Sequence, residues 1–149
     1  MQRVFKDFDT LKLDFNSLTN LMSEGHYQSK QSSKYLDEYI LQGTVVVKNI
    51  HTHDYFKNTV NKIIETNNLH NKKIDVDLYV GFTQGAASNI HVDNYDVYLY
   101  SLYGRTIYVV NKENYLLDEN GLINIKKGEI HQAIGLSPRI TLSLGVYDY

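Results

Sequence analysis

From Lys73 onward the chain is a succession of short runs of β-branched and aromatic residues, separated by turn residues at Gln84-Gly85, Gly104, Asn120-Gly121, Lys127-Gly128 and the stretch 135–138. A run this short cannot bury a face by itself, so seven or eight of them in sequence must close on one another as a sandwich or barrel. The expected strands are 75–82, 90–93, 96–103, 105–110, 122–126, 130–134 and 139–147. Asn120-Gly121 predicts a two-residue hairpin, because both central positions of a type I′ turn need positive φ.

The first seventy residues read differently. Leu11, Leu13 and Phe15 follow a two-residue period and Leu18 and Leu21 a three-residue one, which predicts a short strand followed by a helix. Segment 39–50 is rich in valine and isoleucine and predicts a strand. In 51–67, Phe56, Val60, Ile63 and Ile64 fall on one helical face, so a helix is expected to pack outside the sheet, with Thr52 as its N-cap. The expected organisation is one domain over 1–149, with N-terminal helical additions over about 1–70 and a β core over about 39–149.

Composition removes several function classes. The 149 residues contain no cysteine, which excludes disulfides, thiolate metal sites, iron–sulfur clusters and a cysteine nucleophile. Any metal must take nitrogen and oxygen ligands. A net charge of −2 supplies no broad positive field for nucleic acid. No run reaches the length of a membrane span, and the expected location is the cytoplasm. Phosphate-binding glycine loops and nucleophile-elbow motifs are absent, so kinase and hydrolase readings are weak.

The chemistry-bearing residues are His91, Asp93 and His131. Positions i and i+2 of a strand share a face, so His91 and Asp93 can reach one point, and an intervening hairpin can bring His131 alongside. Two imidazoles and one carboxylate leave three octahedral positions open, the arrangement that non-haem Fe(II) uses; zinc could take the same ligands. Surface or hydrogen-bonded histidines are the plainer reading of the dipeptide alone. Arg139, with Thr141 on its face, suits bidentate capture of a carboxylate, although a surface strand arginine would look the same.

The stretch from Ile90 to Arg105 resembles the metal-binding segment of the cupin-like, JmjC and ribosomal-oxygenase class of 2-oxoglutarate oxygenases. In that class an H-x-D motif is commonly followed by a Tyr-Asp pair, an aromatic strand and a Gly-Arg turn. The closing stretch from Lys126 to Asp148, with its distal histidine and Ser-Pro-Arg turn, is similar to the same class. The resemblance covers about residues 75–149. It implies a double-stranded β-helix, with Fe(II) on His91, Asp93 and His131 and 2-oxoglutarate chelating the metal. O2 would oxidise that cosubstrate to succinate and CO2, and the iron would then take hydrogen from a substrate. A protein side chain is the favoured substrate over RNA or a small molecule. The additional C-terminal domain of larger ribosomal oxygenases is expected to be missing.

The sequence departs from that class at one place. A lysine or arginine commonly follows the Gly-Arg turn and binds the far carboxylate of 2-oxoglutarate, whereas here Thr106 follows Gly104-Arg105. Other branches put an arginine on the last strand with a hydroxyl two residues on, which Arg139 and Thr141 match. Ser88, three residues before His91, matches a hydroxyl that contacts the cosubstrate. The expected cosubstrate residues are therefore Arg139 first, with Thr141, Ser88 and Thr106 in support and Arg105 facing the other way. A metal-binding cupin without turnover, serving as a binding or structural module, is the alternative that Thr106 keeps open.

Three further features stay ambiguous in the sequence. Tyr95, Tyr98, Tyr100 and Tyr103 suit either a substrate mouth or ordinary strand packing. Asp96 could orient a ligating histidine or simply be solvated. His26, His51, His53 and His70 read as surface residues.

Overall fold

The computed structural model describes residues 3–24, 26–28, 44–50 and 53–148. Its elements are β1 (Val4–Phe5), α1 (Phe15–Glu24), β2 (His26–Gln28), β3 (Thr44–Lys48), α2 (Asp54–Thr66), β4 (Lys73–Gly81), β5 (Gly85–Ala86), β6 (His91–Val92), β7 (Asp96–Tyr103), β8 (Thr106–Val110), β9 (Glu113–Leu117), β10 (Leu122–Ile125), β11 (Ile130–Gly135) and β12 (Arg139–Tyr147). All pairings are antiparallel. One sheet has the order β1-β10-β7-β12-β4-β3-β2, and the other runs β5-β11-β8-β9 with β6 also paired to β11. The chain passes back and forth between these sheets, and they enclose a common interior, which makes the architecture a double-stranded β-helix.

Alternation along β12 explains how the layers divide. Ile140, Leu142, Leu144 and Val146 point to the outer face of the seven-stranded sheet, where they meet Val76, Leu78 and Val80 of β4 and the apolar faces of both helices. Phe56 and Ile63 of α2 are fully buried there, and Leu18 and Leu21 of α1 are buried beside them. The odd positions Arg139, Thr141, Ser143, Gly145 and Tyr147 face the interior instead. That interior is itself divided. Val97, Leu99, Tyr108, Val110, Leu117, Ile123 and Ile125 form an apolar plug between the sheets, and the remainder is a cavity of about 200 Å³ lined largely by polar residues.

The helices begin where local chemistry permits. The Asp14 carboxylate accepts the Ser17 N–H at 2.8 Å and its hydroxyl at 2.9 Å, closing the first turn of α1. For α2 the capping position is His53, without a side-chain hydrogen bond. The expected cap Thr52, with His51, lies outside the described residues, as do positions 39–43 of the expected strand.

Two expectations about the strands need correction. The N-terminal strand is Val4–Phe5, paired to β10, and Leu11 and Leu13 lie outside any strand, packed against the helix-side core. The second concerns the turns. Asn120-Gly121 is no two-residue hairpin: only Asn120 has positive φ, and the segment carries the chain from β9 in one sheet to β10 in the other. The hairpin with two positive-φ residues is Asn111-Lys112 (φ 50° and 72°), which joins β8 to the unanticipated strand β9. Lysine has no turn signature, and the charged start of β9 hides its alternation. Gly121 is needed for a different reason, since a Cβ there would stand 3.0 Å from the Asp118 carbonyl oxygen.

Phe56→Ala removes a wholly buried ring from between α2 and the sheet, so it should cost about 3–5 kcal/mol of stability. Urea unfolding of variant and parent, with unchanged dependence on denaturant, would measure it.

Candidate metal centre

The site is set by strand register. His91 on β6 stands directly opposite His131 on β11, and residues opposite each other in antiparallel strands project to the same side. Their rings lie 4.2 Å apart between centroids. Asp93, two residues after His91, turns the same way. Its Oδ2 is 3.8 Å from His91 Nε2 and 3.4 Å from His131 Nε2. One ligand atom from each of the three residues lies within 4.8 Å of the others. The Gly128 N–H donates to the Asp93 carbonyl at 3.0 Å, tying the carboxylate's backbone to the turn before β11.

Both imidazoles are oriented through their other nitrogen. His91 Nδ1 is 2.7 Å from the Asn89 carbonyl and His131 Nδ1 is 2.9 Å from the Glu129 carbonyl. A carbonyl oxygen only accepts, so each Nδ1 carries a proton and each Nε2 is left facing the Asp93 carboxylate. Burial disfavours charge on His131, but its hydrogen bonds and Coulombic attraction to Asp93 and Glu129 outweigh that and raise its pKa. With Nε2 of each ring deprotonated, the two imidazoles and the carboxylate are close enough to suit a first-row divalent metal with nitrogen and oxygen preference.

Glu129 is fixed from the other end of the chain. Arg3 donates to both of its carboxylate oxygens at 2.6 Å, and Glu129 in turn accepts the Lys126 N–H at 2.8 Å and the Asn111 amide at 3.0 Å. Arg3 was not singled out in the sequence, since no local pattern links it to a residue in the turn before β11.

The same cavity is lined by Arg139, 7% exposed. Its Nη1 donates to the carbonyls of Thr83 at 2.6 Å and Ser137 at 3.3 Å, and its Nη2 to Thr44 Oγ1 at 3.4 Å. No carboxylate among the described residues forms an ion pair with it. Burial lowers its pKa, with Tyr108 working in the other direction, yet a guanidinium stays charged. Thr141, Thr106 and Ser88 all line this cavity. Thr141 hydrogen-bonds Tyr108, whose burial drives the phenol pKa upward, while Ser88 Oγ accepts the Ala133 N–H at 3.0 Å. Arg105 points outward to Asp118 at 2.7 Å, as expected from its opposite parity.

The tyrosine cluster separates by strand parity. Tyr95 lines the cavity, Tyr98 and Tyr100 sit in the helix-side core, and Tyr103 is exposed. Asp96 orients no histidine: it pairs with Lys126 at 3.0 Å and accepts the Lys127 N–H at 2.8 Å. Unanticipated lining residues are Thr44, Tyr79 and Tyr108. Tyr108 was legible as the i+2 neighbour of Thr106, whereas Thr44 and Tyr79 depend on strand pairing alone. Burial lifts the Tyr79 pKa to about 12, so its phenol stays protonated at neutral pH. Asp75, Tyr95, Tyr147 and the Lys48–Asp77 ion pair at 2.6 Å also line the cavity. His53 and His70 are exposed.

No protein-family model matches this sequence, and no curated protein does. Solved structures do match its fold. YcfD, a ribosomal oxygenase from Escherichia coli solved with cobalt and succinic acid, superposes with a TM-score of 0.74 at 17% identity over 98% of this chain and 48% of that one. The same protein solved with cobalt and 2-oxoglutarate gives the same values. KdgF from Halomonas sp. gives 0.56 at 13% identity, over 85% of this chain and 90% of that one. An RmlC-like cupin from Shewanella frigidimarina gives 0.54 at 9% identity, over 83% and 85%. The fold is therefore that of the cupins, and the chain spans about half the length of the ribosomal oxygenase. Among the described residues no helix is long and apolar enough to cross a membrane.

Arg3 holds the Glu129 carboxyl below its ordinary pKa, chiefly through their hydrogen bonds. A depressed carboxylate pKa contributes stability above the unfolded-state value and loses it as pH falls through the folded one. Arg3→Ala should therefore cost about 1–3 kcal/mol near neutral pH, and the gap between variant and parent should shrink below the ordinary glutamate pKa of 4.5. Unfolding curves at a series of pH values would measure the gap.

Proposed function

We propose that the protein is an Fe(II)- and 2-oxoglutarate-dependent oxygenase that hydroxylates a protein side chain, with His91, Asp93 and His131 as metal ligands. One observation carries this reading: the His-Asp-His cluster and a buried guanidinium without a carboxylate partner share one cavity. A facial set of two imidazoles and a carboxylate leaves metal positions for a bidentate 2-oxo acid and for O2. An isolated buried cation is costly unless an anion meets it. A 2-oxo diacid answers both needs, with one end for the metal and a carboxylate for Arg139. The likeness to a ribosomal oxygenase solved with cobalt and 2-oxoglutarate supports the assignment at the level of fold.

The protein's own part is to bind and orient. Arg139 has N–H groups beyond the three hydrogen bonds described, and these would hold the distal carboxylate. The hydroxyls of Thr141, Thr106 and Ser88 line its path, and the Tyr108 phenol steadies Thr141. The apolar cluster that includes Tyr108 backs this part of the cavity. When bound, iron would supply the activation of O2 and the oxidation of the substrate. Thr106 in place of a cation is compensated by Arg139 on the neighbouring region of the same cavity.

His91→Ala should abolish Fe(II) binding and leave the circular dichroism spectrum of the fold unchanged; equal metal affinity in the variant would move the site elsewhere. Arg139→Ala should weaken 2-oxoglutarate binding by about 2–5 kcal/mol, the usual loss on truncating one partner of a buried charge pair, while metal binding survives. The test of the activity itself is conversion of 2-oxoglutarate to succinate by protein loaded with Fe(II) and exposed to O2. Metal binding without any turnover would instead indicate a non-catalytic cupin.

A further inference from the structure

Gly81 ends β4 and Gly135 ends β11, in opposite sheets, and neither has the positive φ that requires glycine. Glycine inside a strand forfeits side-chain packing and raises the entropy cost of folding, so a strand glycine with ordinary φ signals the close approach of another group. Here the approaching group is the same for both. A Cβ on Gly135 would collide with Arg139 Nη1 and Cζ. A Cβ on Gly81 would stand 2.6 Å from Cζ and 2.6 Å from Nη2. In each case the three nearest atoms all belong to the Arg139 side chain. Register brings this about: Gly81 is the cross-strand partner of Arg139, and the turn 136–138 folds Arg139 back toward Gly135.

We propose that Gly81 and Gly135 form a slot that positions the Arg139 guanidinium for the carboxylate of the 2-oxo acid. The proposal rests on the reading of Arg139 given above and extends it to the two residues that flank its guanidinium. A guanidinium is planar, so two bare Cα positions can confine it where any side chain would push it aside. The carbonyls of Thr83 and Ser137 then fix its rotation, because Nη1 donates to both. This arrangement also explains how a buried cation keeps one geometry without a carboxylate in the protein to lock it. The group displaced by an added methyl is the end of a flexible side chain and not backbone, so the slot can be filled without breaking the sheet.

Gly135→Ala and Gly81→Ala test this, with the protein under anaerobic conditions and Mn(II) as the metal. Each should weaken 2-oxoglutarate binding by about tenfold or more, since a displaced guanidinium loses its bidentate geometry toward the carboxylate. Mn(II) affinity measured without 2-oxoglutarate should stay at the parental value. A structural role alone would not give the second signature: in an Arg139→Lys background, where no planar guanidinium fills the slot, adding Gly135→Ala should cause little further loss. Parental 2-oxoglutarate affinity in both glycine variants would overturn the slot, as would parallel loss of Mn(II) and 2-oxoglutarate binding. Arg139→Ala in the parent separates the two levels. If it leaves 2-oxoglutarate affinity intact, the role of Arg139 itself fails; if it destroys affinity while the glycine variants do not, only the slot fails.

Discussion

The two-residue period of β12 is the constraint on which the rest of the structure depends. This strand is buried on both faces along almost its whole length, so each residue must satisfy one of two unlike environments. Even positions are Ile140, Leu142, Leu144 and Val146, which seal the sheet against the helices. Odd positions are Arg139, Thr141, Ser143, Gly145 and Tyr147, which face the cavity. A slip of one residue would bury a guanidinium among aliphatic side chains and aim leucines at the metal cluster, so the register is strongly specified. The register shift against β7 between Ile140 and Thr141 falls beside the Arg139 end of the cavity, where irregularities commonly re-aim a functional side chain.

The interior works because its polar and apolar parts are kept apart. Val97, Leu99, Ile123 and Ile125 belong to an apolar cluster between the sheets, of which Val97 and Leu99 also line the cavity. Histidines, carboxylates and Arg139 occupy the other end, and no buried side-chain polar atom among the described residues lacks a partner. Low dielectric strengthens those contacts and makes an unmatched charge costly. Arg139 is the point of imbalance, being held by carbonyls and a hydroxyl alone. Such an imbalance lies in the same cavity as the three convergent metal-type donors.

Orientation of the donors depends on contacts that reach across the whole chain. The Glu129 carbonyl sets the tautomer of His131, while the carboxylate of the same residue is clasped by Arg3 in the first strand region. The helical N-terminal part thus covers the outer face of the main sheet, and the residues just before it brace the strand that carries the distal histidine. A metal site held this way has its ligand geometry fixed by hydrogen bonds before any metal is bound, which is the role of outer partners in metal sites generally.

The sequence by itself determined the residue chemistry and the local periods. His91 and Asp93 two apart, His131 after a glycine turn, and Arg139 with Thr141 were all legible, because a strand's period places i and i+2 on one face whatever its neighbours are. The absence of cysteine settled the donor types. Tertiary structure decided which strands meet. Only pairing in space puts His91 opposite His131, brings Thr44 and Tyr79 to the cavity wall, sends Tyr98 and Tyr100 to the helix side, and closes Gly81 and Gly135 over a guanidinium. It also replaced the hairpin expected at Asn120-Gly121 with one at Asn111-Lys112, since a lysine held at positive φ is imposed by the strands it joins and leaves no mark in the local sequence.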